Sequence, residues 1–90
     1  MQYIWSHHAL RERLEERSGL QRAEIEAALD ERKYVVQRHQ EEHHLIWDHV
    51  RQHLIDVPTV YNSENTVVIP TILPVTYGSV RSIISGMKKM

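Results

Sequence analysis

The stretch Asn65–Tyr77, NTVVIPTILPVTY, decides how the rest of the chain can be arranged. It follows the turn-rich run YNSEN, 61–65, carries β-branched Val67, Val68, Ile69, Thr71 and Ile72, and stops at Pro74. That composition predicts a buried strand of about eight residues. Pro70 interrupts it, and because a proline gives no N–H to a ladder, one side of the strand is expected to be unpaired there. Every earlier segment must then find its place on this strand.

Ninety residues with 41% hydrophobic content predict one domain, 1–90, with a thin core. There is no Phe, so the large apolar anchors must be Trp5, Trp47 and four tyrosines. The absence of Cys excludes disulfides, thiolate metal sites and a cysteine nucleophile, and fits a reducing cytoplasm. No apolar run approaches the roughly 20 residues of a membrane helix, and the N-terminus lacks the regions of a secretory signal. A cytoplasmic protein with no membrane contact is therefore expected. Eleven basic residues face twelve acidic ones, for a formal net charge of −1. A domain that lives on phosphate contacts usually carries a basic excess. Seven histidines would reverse the sign near pH 6.

Toward the N-terminus, Gln2 to Trp5 alternates polar and apolar and predicts a short first strand, after which Ser6 offers an N-cap. From His8 to Arg17, Leu10 and Leu14 make one i, i+4 contact and form a narrow apolar stripe on a charged helix. Gly19 stands where a C-cap belongs, with Leu20 closing the turn. A second helix is predicted from Gln21 to Glu31, with Leu20, Ile25, Ala28 and Leu29 on one face and Glu24 early, where the macrodipole favours negative charge. The short link makes the two a helical hairpin, with Leu10, Leu14, Ile25 and Leu29 expected to face Ile46, Val68 and Ile72.

Strand composition then takes over. Tyr34–Arg38, His44–Trp47 and His53–Tyr61 read as strands, separated by turns at His39–His43 and Asp48–Gln52, the last strand bent at Pro58. After Gly78, the tail 79–90 places Val80, Ile83, Ile84 and Met87 at helical spacing, as a C-terminal helix or basic tail that covers the core or docks on a second copy. The order predicts an α+β layer, with the hairpin on one face of an antiparallel sheet of about four strands.

Three runs carry a resemblance. Ser6–Leu20, SHHALRERLEERSGL, resembles the opening of small RelE-like domains, including an uncharacterised bacterial and phage group with the pattern S-x-H-A-x-x-R-x-x-E-R-[ST]-G-[LI]. His44–Asp48, HLIWD, is similar to an inner strand of that group, and Ile69–Tyr77, IPTILPVTY, to its closing V-V-T-V-L-P-L-D-Y. The chain departs from the pattern by one additional residue between His8 and Arg17, which leaves open whether Arg11 or Arg13 holds the first arginine position. It departs also at Pro70, where the group has Val, at Thr76, where it has Asp, and in its charge, since RNA-cleaving members are basic.

The resemblance implies a RelE-like fold and two functions. One is a non-catalytic binding protein, phage-encoded and acting on a host protein or paired with a cognate antitoxin. The other is a toxin-like, metal-independent endoribonuclease, an mRNA interferase. Cleavage without a metal needs a base for the 2′-hydroxyl, a cation for the phosphate and an acid for the leaving oxygen. His8, Arg13, Arg17 and Tyr77 are of those types, while Arg11, Arg13, Arg17 and Lys33 are the candidate binding cations for a protein or RNA. The alternative is that His8 merely begins a helix and the arginines pair with Glu12, Glu15 and Glu16 as a solvated face. A homodimer stays open. A basic cleft holding Arg13, Arg17 and Lys33 would favour the nuclease, and mixed charge with an exposed apolar patch the binder.

Two further readings concern ligands. His39–His43 matches H-x-x-E-H, which binds zinc only on a helix; in a hairpin turn it predicts no metal, leaving at most adventitious nickel or zinc on His43, His44, His49 and His53. No cofactor is expected. Trp47 and Tyr34 are of the type that stacks on bases, but Trp47 in an apolar strand is expected in the core.

Overall fold

The computed structural model describes residues 1–75. Strand β1 is Gln2–Trp5, followed by a π-helical turn His8–Arg13 that runs directly into helix α1, Leu14–Arg17. Helix α2 spans Arg22–Glu31, and the remaining strands are β2 Val35–Arg38, β3 Glu41–Asp48, β4 His53–Ser63, β5 Thr66–Ile69 and β6 Leu73–Pro74. The fold is α+β. Tyr77, Thr76 and the expected tail helix lie outside the described residues.

The sheet is larger than the predicted four strands and it is mixed. Its order is β1-β5-β4-β3-β2, with β6 also on β4. β1 runs parallel to β5, Gln2 opposite Thr66 and Trp5 opposite Ile69, whereas every other pairing is antiparallel. A parallel pair needs a long crossover, and here everything between β1 and β5 supplies it.

The stretch read as one strand is two. β5 pairs Val67 and Val68 with Tyr61 and Val60 of β4; the chain then leaves the ladder at Pro70 and returns as β6, with Leu73 and Pro74 opposite Asp56 and Ile55. Pro70 thus takes the place where no donor is required. Pro58 uses the same gap. It lies within β4, opposite His43 of β3, where the other edge of β4 has no register partner between Asp56 and Val60. β4 therefore continues through Pro58 as one strand.

Side-chain alternation selects the inner face. Trp5, Ile46, Ile55, Val57, Ile69 and Ile72 form the core with Ala9, Leu20, Ile25 and Leu29 from the helical segments. Leu10 and Leu14 only flank it, and Val68, with the opposite parity from Val67 and Ile69, is half-buried rather than central. Four corrections concern local geometry. The turn expected over His39–His43 is two residues, His39 and Gln40, with Glu41 already in β3. The first helix is π-helical for its first part, with the Leu14 N–H donating to the Ala9 carbonyl. Trp47 is exposed, at 56%, because it alternates with buried Ile46 and Asp48. Gly19 is not a left-handed cap: its φ is not positive. It is needed for space, since a Cβ there would sit 2.6 Å from Val50 Cβ.

α2 begins with a capping box, Gln21 and Glu24 each accepting a backbone N–H from the other's position, and ends at Arg32 in the left-handed region. Glu24 is held below the usual carboxylate range by the His49 ring and then by the Gln21 N–H. None of the described helices is long and apolar enough to cross a membrane.

Candidate functional site

The first helical segment gathers three of the expected residues into one chain of hydrogen bonds and ion pairs. A π-helical turn brings residue i beside i+5, and His8 and Arg13 meet in that way: Arg13 Nε donates to His8 Nε2 at 3.1 Å. Guanidinium N–H groups only donate, so Nε2 is the acceptor and the imidazole proton resides on Nδ1. That proton faces Glu12 Oε2 at 2.6 Å. Arg13 also donates to both oxygens of Glu16 at 3.0 Å. Arg17 lies 3.5 Å from Glu16 and donates to the Ile72 carbonyl at 2.9 Å, which ties the helix to the link between β5 and β6. His8, Arg13 and Arg17 thus share a face, but Glu12 and Glu16 meet their charge, and the basic nitrogen of His8 is occupied. Tyr77 lies outside the described residues.

Arg11 is exposed and makes no side-chain bond among the described residues. Lys33 is elsewhere, its ammonium 5.9 Å from the centroid of the Tyr34 ring. It lines a groove of about 220 Å3 with Ala28, Tyr34, Leu45, Ile46 and Trp47, at the part of β3 that extends past the end of β2. Neither Arg13 nor Arg17 lines that groove, so the three cations do not share one basic cleft. What the groove does present is aromatic surface, Tyr34 at 54% exposure beside Trp47.

His43, His49 and His53 go to separate acidic partners. His43 Nδ1 lies 2.9 Å from Asp56, His49 bonds Glu24 and His53 bonds Asp48. Burial pushes the Asp56 carboxyl up, with His43 opposing. The H-x-x-E-H run crosses a turn and a strand, so His39 and His43 do not lie on one helix face.

Sequence reasoning missed two polar assemblies. Asp48, fully buried, accepts the Gly19 N–H at 2.7 Å on one oxygen and those of Val50 and Arg51 at 3.0 and 3.1 Å on the other. Burial alone would raise this carboxyl, but these donors and the His53 ring outweigh it and hold it low. Arg51 then donates to the carbonyls of Glu15 and Glu16, closing the end of α1. Asp48 in a D-x-x turn was a readable local signal; Gly19, distant in sequence, was not. The second assembly lies under the end of α2. Arg32 grips both oxygens of Glu42 at 2.8 Å and touches the Tyr61 hydroxyl, while Tyr3 donates to Asp30 at 2.5 Å. Burial and then that bond to a carboxylate raise the Tyr3 phenol, and the Arg32 guanidinium holds Glu42 low. Comparison of the chain with protein-family models, with curated proteins and with solved structures gives no match.

Proposed function

We propose that the chain is a non-catalytic binding protein on a RelE-like scaffold, directed at a host protein. The observation that carries the reading is the exposure of Trp47 and Tyr34 together on one groove, beside Lys33. A chain without Phe that leaves one of its two tryptophans in water gives up core stabilisation, and Trp and Tyr are the residues that dominate protein interfaces. Mixed charge supports the same side, since Arg13 and Arg17 are met by Glu16. The order of strand, two helical segments and strands supports the scaffold. So does the π-helical turn at His8–Arg13, which takes up one residue more than an α-turn within the run that exceeds the pattern by one. Capture from bacterial lysate tests the reading: one protein should be recovered in a ribonuclease-insensitive way, and Trp47→Ala with Tyr34→Ala should reduce its recovery at least tenfold with an unchanged melting temperature. Equal recovery by the double variant would overturn it.

A second reading, the metal-independent ribonuclease, is favoured by one observation, the alignment of Glu12, His8 and Arg13. If Arg13 moved to a phosphate, His8 Nε2 would be released as a base whose other nitrogen Glu12 already orients. RNA cleavage in the presence of a chelator, abolished by His8→Ala, would select this reading over the first.

A further inference from the structure

The sheet is covered on both faces. In β4 the run Ile55–Thr59 is buried without a break. Side chains of a strand alternate between faces, so an unbroken run of that kind needs cover on each side. Ile55 and Val57 meet the helical segments in the core, whereas Asp56 and Pro58 point to the opposite, outer face. Register carries this face across the sheet, with His43 opposite Pro58 and Val36 opposite His43. Val36 is the unexplained residue. It stands in an edge strand and outside the core cluster, yet it is 0% exposed.

Nothing in residues 1–75 supplies that cover. Ala9, Leu20, Ile25 and Leu29, the buried apolar residues of the helical half, all enter the core on the other face. β6 lies beside β4 within the sheet and not over it. The burial of Val36 is complete within one chain, so a second copy does not account for it. Polar groups of the outer face are matched among themselves, His43 Nδ1 lying 2.9 Å from Asp56 and its Nε2 3.1 Å from Glu41. What remains to be covered is apolar: Val36, Pro58 and half-buried Leu45, Leu54 and Leu73.

The segment after β6 fits in position, length and pattern. β6 delivers the chain at Pro74, opposite Ile55, to the margin of this face. From there the face crosses β4 and β3 to β2, three strand spacings or about 14 Å. Residues 79–90 would span about 18 Å as a helix. Val80, Ile83, Ile84 and Met87 follow i, i+3, i+4, i+7 and make one apolar stripe, with Arg81 and Lys89 turned away from it.

We propose that residues 79–90 form a helix docked across the outer face of the sheet, its apolar stripe on Val36, Leu45, Leu54 and Leu73. Trp47 shares that face but is 56% exposed, so the helix bounds the aromatic groove and does not fill it. This docking does not rest on the partner reading.

The test is methyl NOE spectroscopy on the whole chain, run on labelled protein and on an equal mixture of labelled and unlabelled protein. NOEs from the Ile83 and Ile84 methyls to Val36, Leu45 or Leu54 are expected within one chain and independent of concentration. NOEs that arise only between labelled and unlabelled chains would assign the face to a second copy, and NOEs to Ile25 or Leu29 would place the segment on the core side; either result, or none at all, overturns the proposal. Ile83→Ser with Ile84→Ser should lower the exchange protection of the Val36 amide at least tenfold, and unchanged protection would also overturn it. Should that variant fail to fold, the NOEs of the unaltered chain decide. Trp47→Ala with Tyr34→Ala should leave those NOEs in place, so failure of the partner reading and failure of this docking are separable.

Discussion

Asp48 shows how one side chain fastens two distant turns. Its oxygens hold the Gly19 N–H of the link after α1 and the Val50 and Arg51 N–H groups of the β3–β4 turn, while His53 completes the set. The sign of its pH effect follows from its low folded pKa. The stabilisation is present above the unfolded value, near about 3.9, and is lost as pH falls through the folded one. Asp48→Asn should lower stability by about 2–3 kcal/mol at pH 7, because an amide nitrogen would confront donors. The difference from the wild type should shrink toward pH 2, and urea unfolding at both pH values measures it. A constant difference would mean that the charge plays no part. Gly19 belongs to the same junction, since only a residue without Cβ lets Val50 close on it.

At the scale of an element, the first helical segment separates two arginines that sequence alone makes equivalent. Arg13 reaches exposed partners, Glu16 and His8, whereas Arg17 reaches the backbone of Ile72, 55 residues on. Exposed ion pairs contribute little, but a guanidinium on a half-buried carbonyl contributes more. Arg13→Gln should therefore change stability by no more than about 0.5 kcal/mol, and Arg17→Gln should cost about 1–2 kcal/mol. Thermal unfolding of each variant checks this, and equal effects would show that the Ile72 contact carries no weight.

For the whole molecule, burial is distributed unevenly between the two helices. Leu29 is 2% exposed at the centre of the core, while Leu14 packs only at its margin. Leu29→Ala should cost about 3 kcal/mol and Leu14→Ala about 1 kcal/mol, from the transfer and cavity terms of a buried and a half-buried side chain. Chemical denaturation gives both values, and a larger loss at Leu14 would mean that the first helix, rather than α2, is the main cover of the sheet.

The sequence by itself determined what depends on neighbours along the chain. The first strand, the second helix with its early Glu24, the strand composition after Tyr34 and the interruption at Pro70 all follow from propensity, capping and the missing proline N–H. Tertiary structure decided what depends on facing. Which parity of Val67 and Val68 points inward, whether Trp47 is core or surface, and that β1 lies parallel to β5 are set by the register with β4 and by which face the helices cover. A strand's alternation gives two faces and does not say which is buried. The candidate site divided likewise: side chains one turn apart, His8, Glu12, Arg13 and Glu16, were readable together, whereas Gly19 with Asp48 and Arg32 with Glu42 required the chain to return. Local spacing constrains contacts within a turn, but only the folded sheet brings Arg32 at the end of α2 against Glu42 of β3.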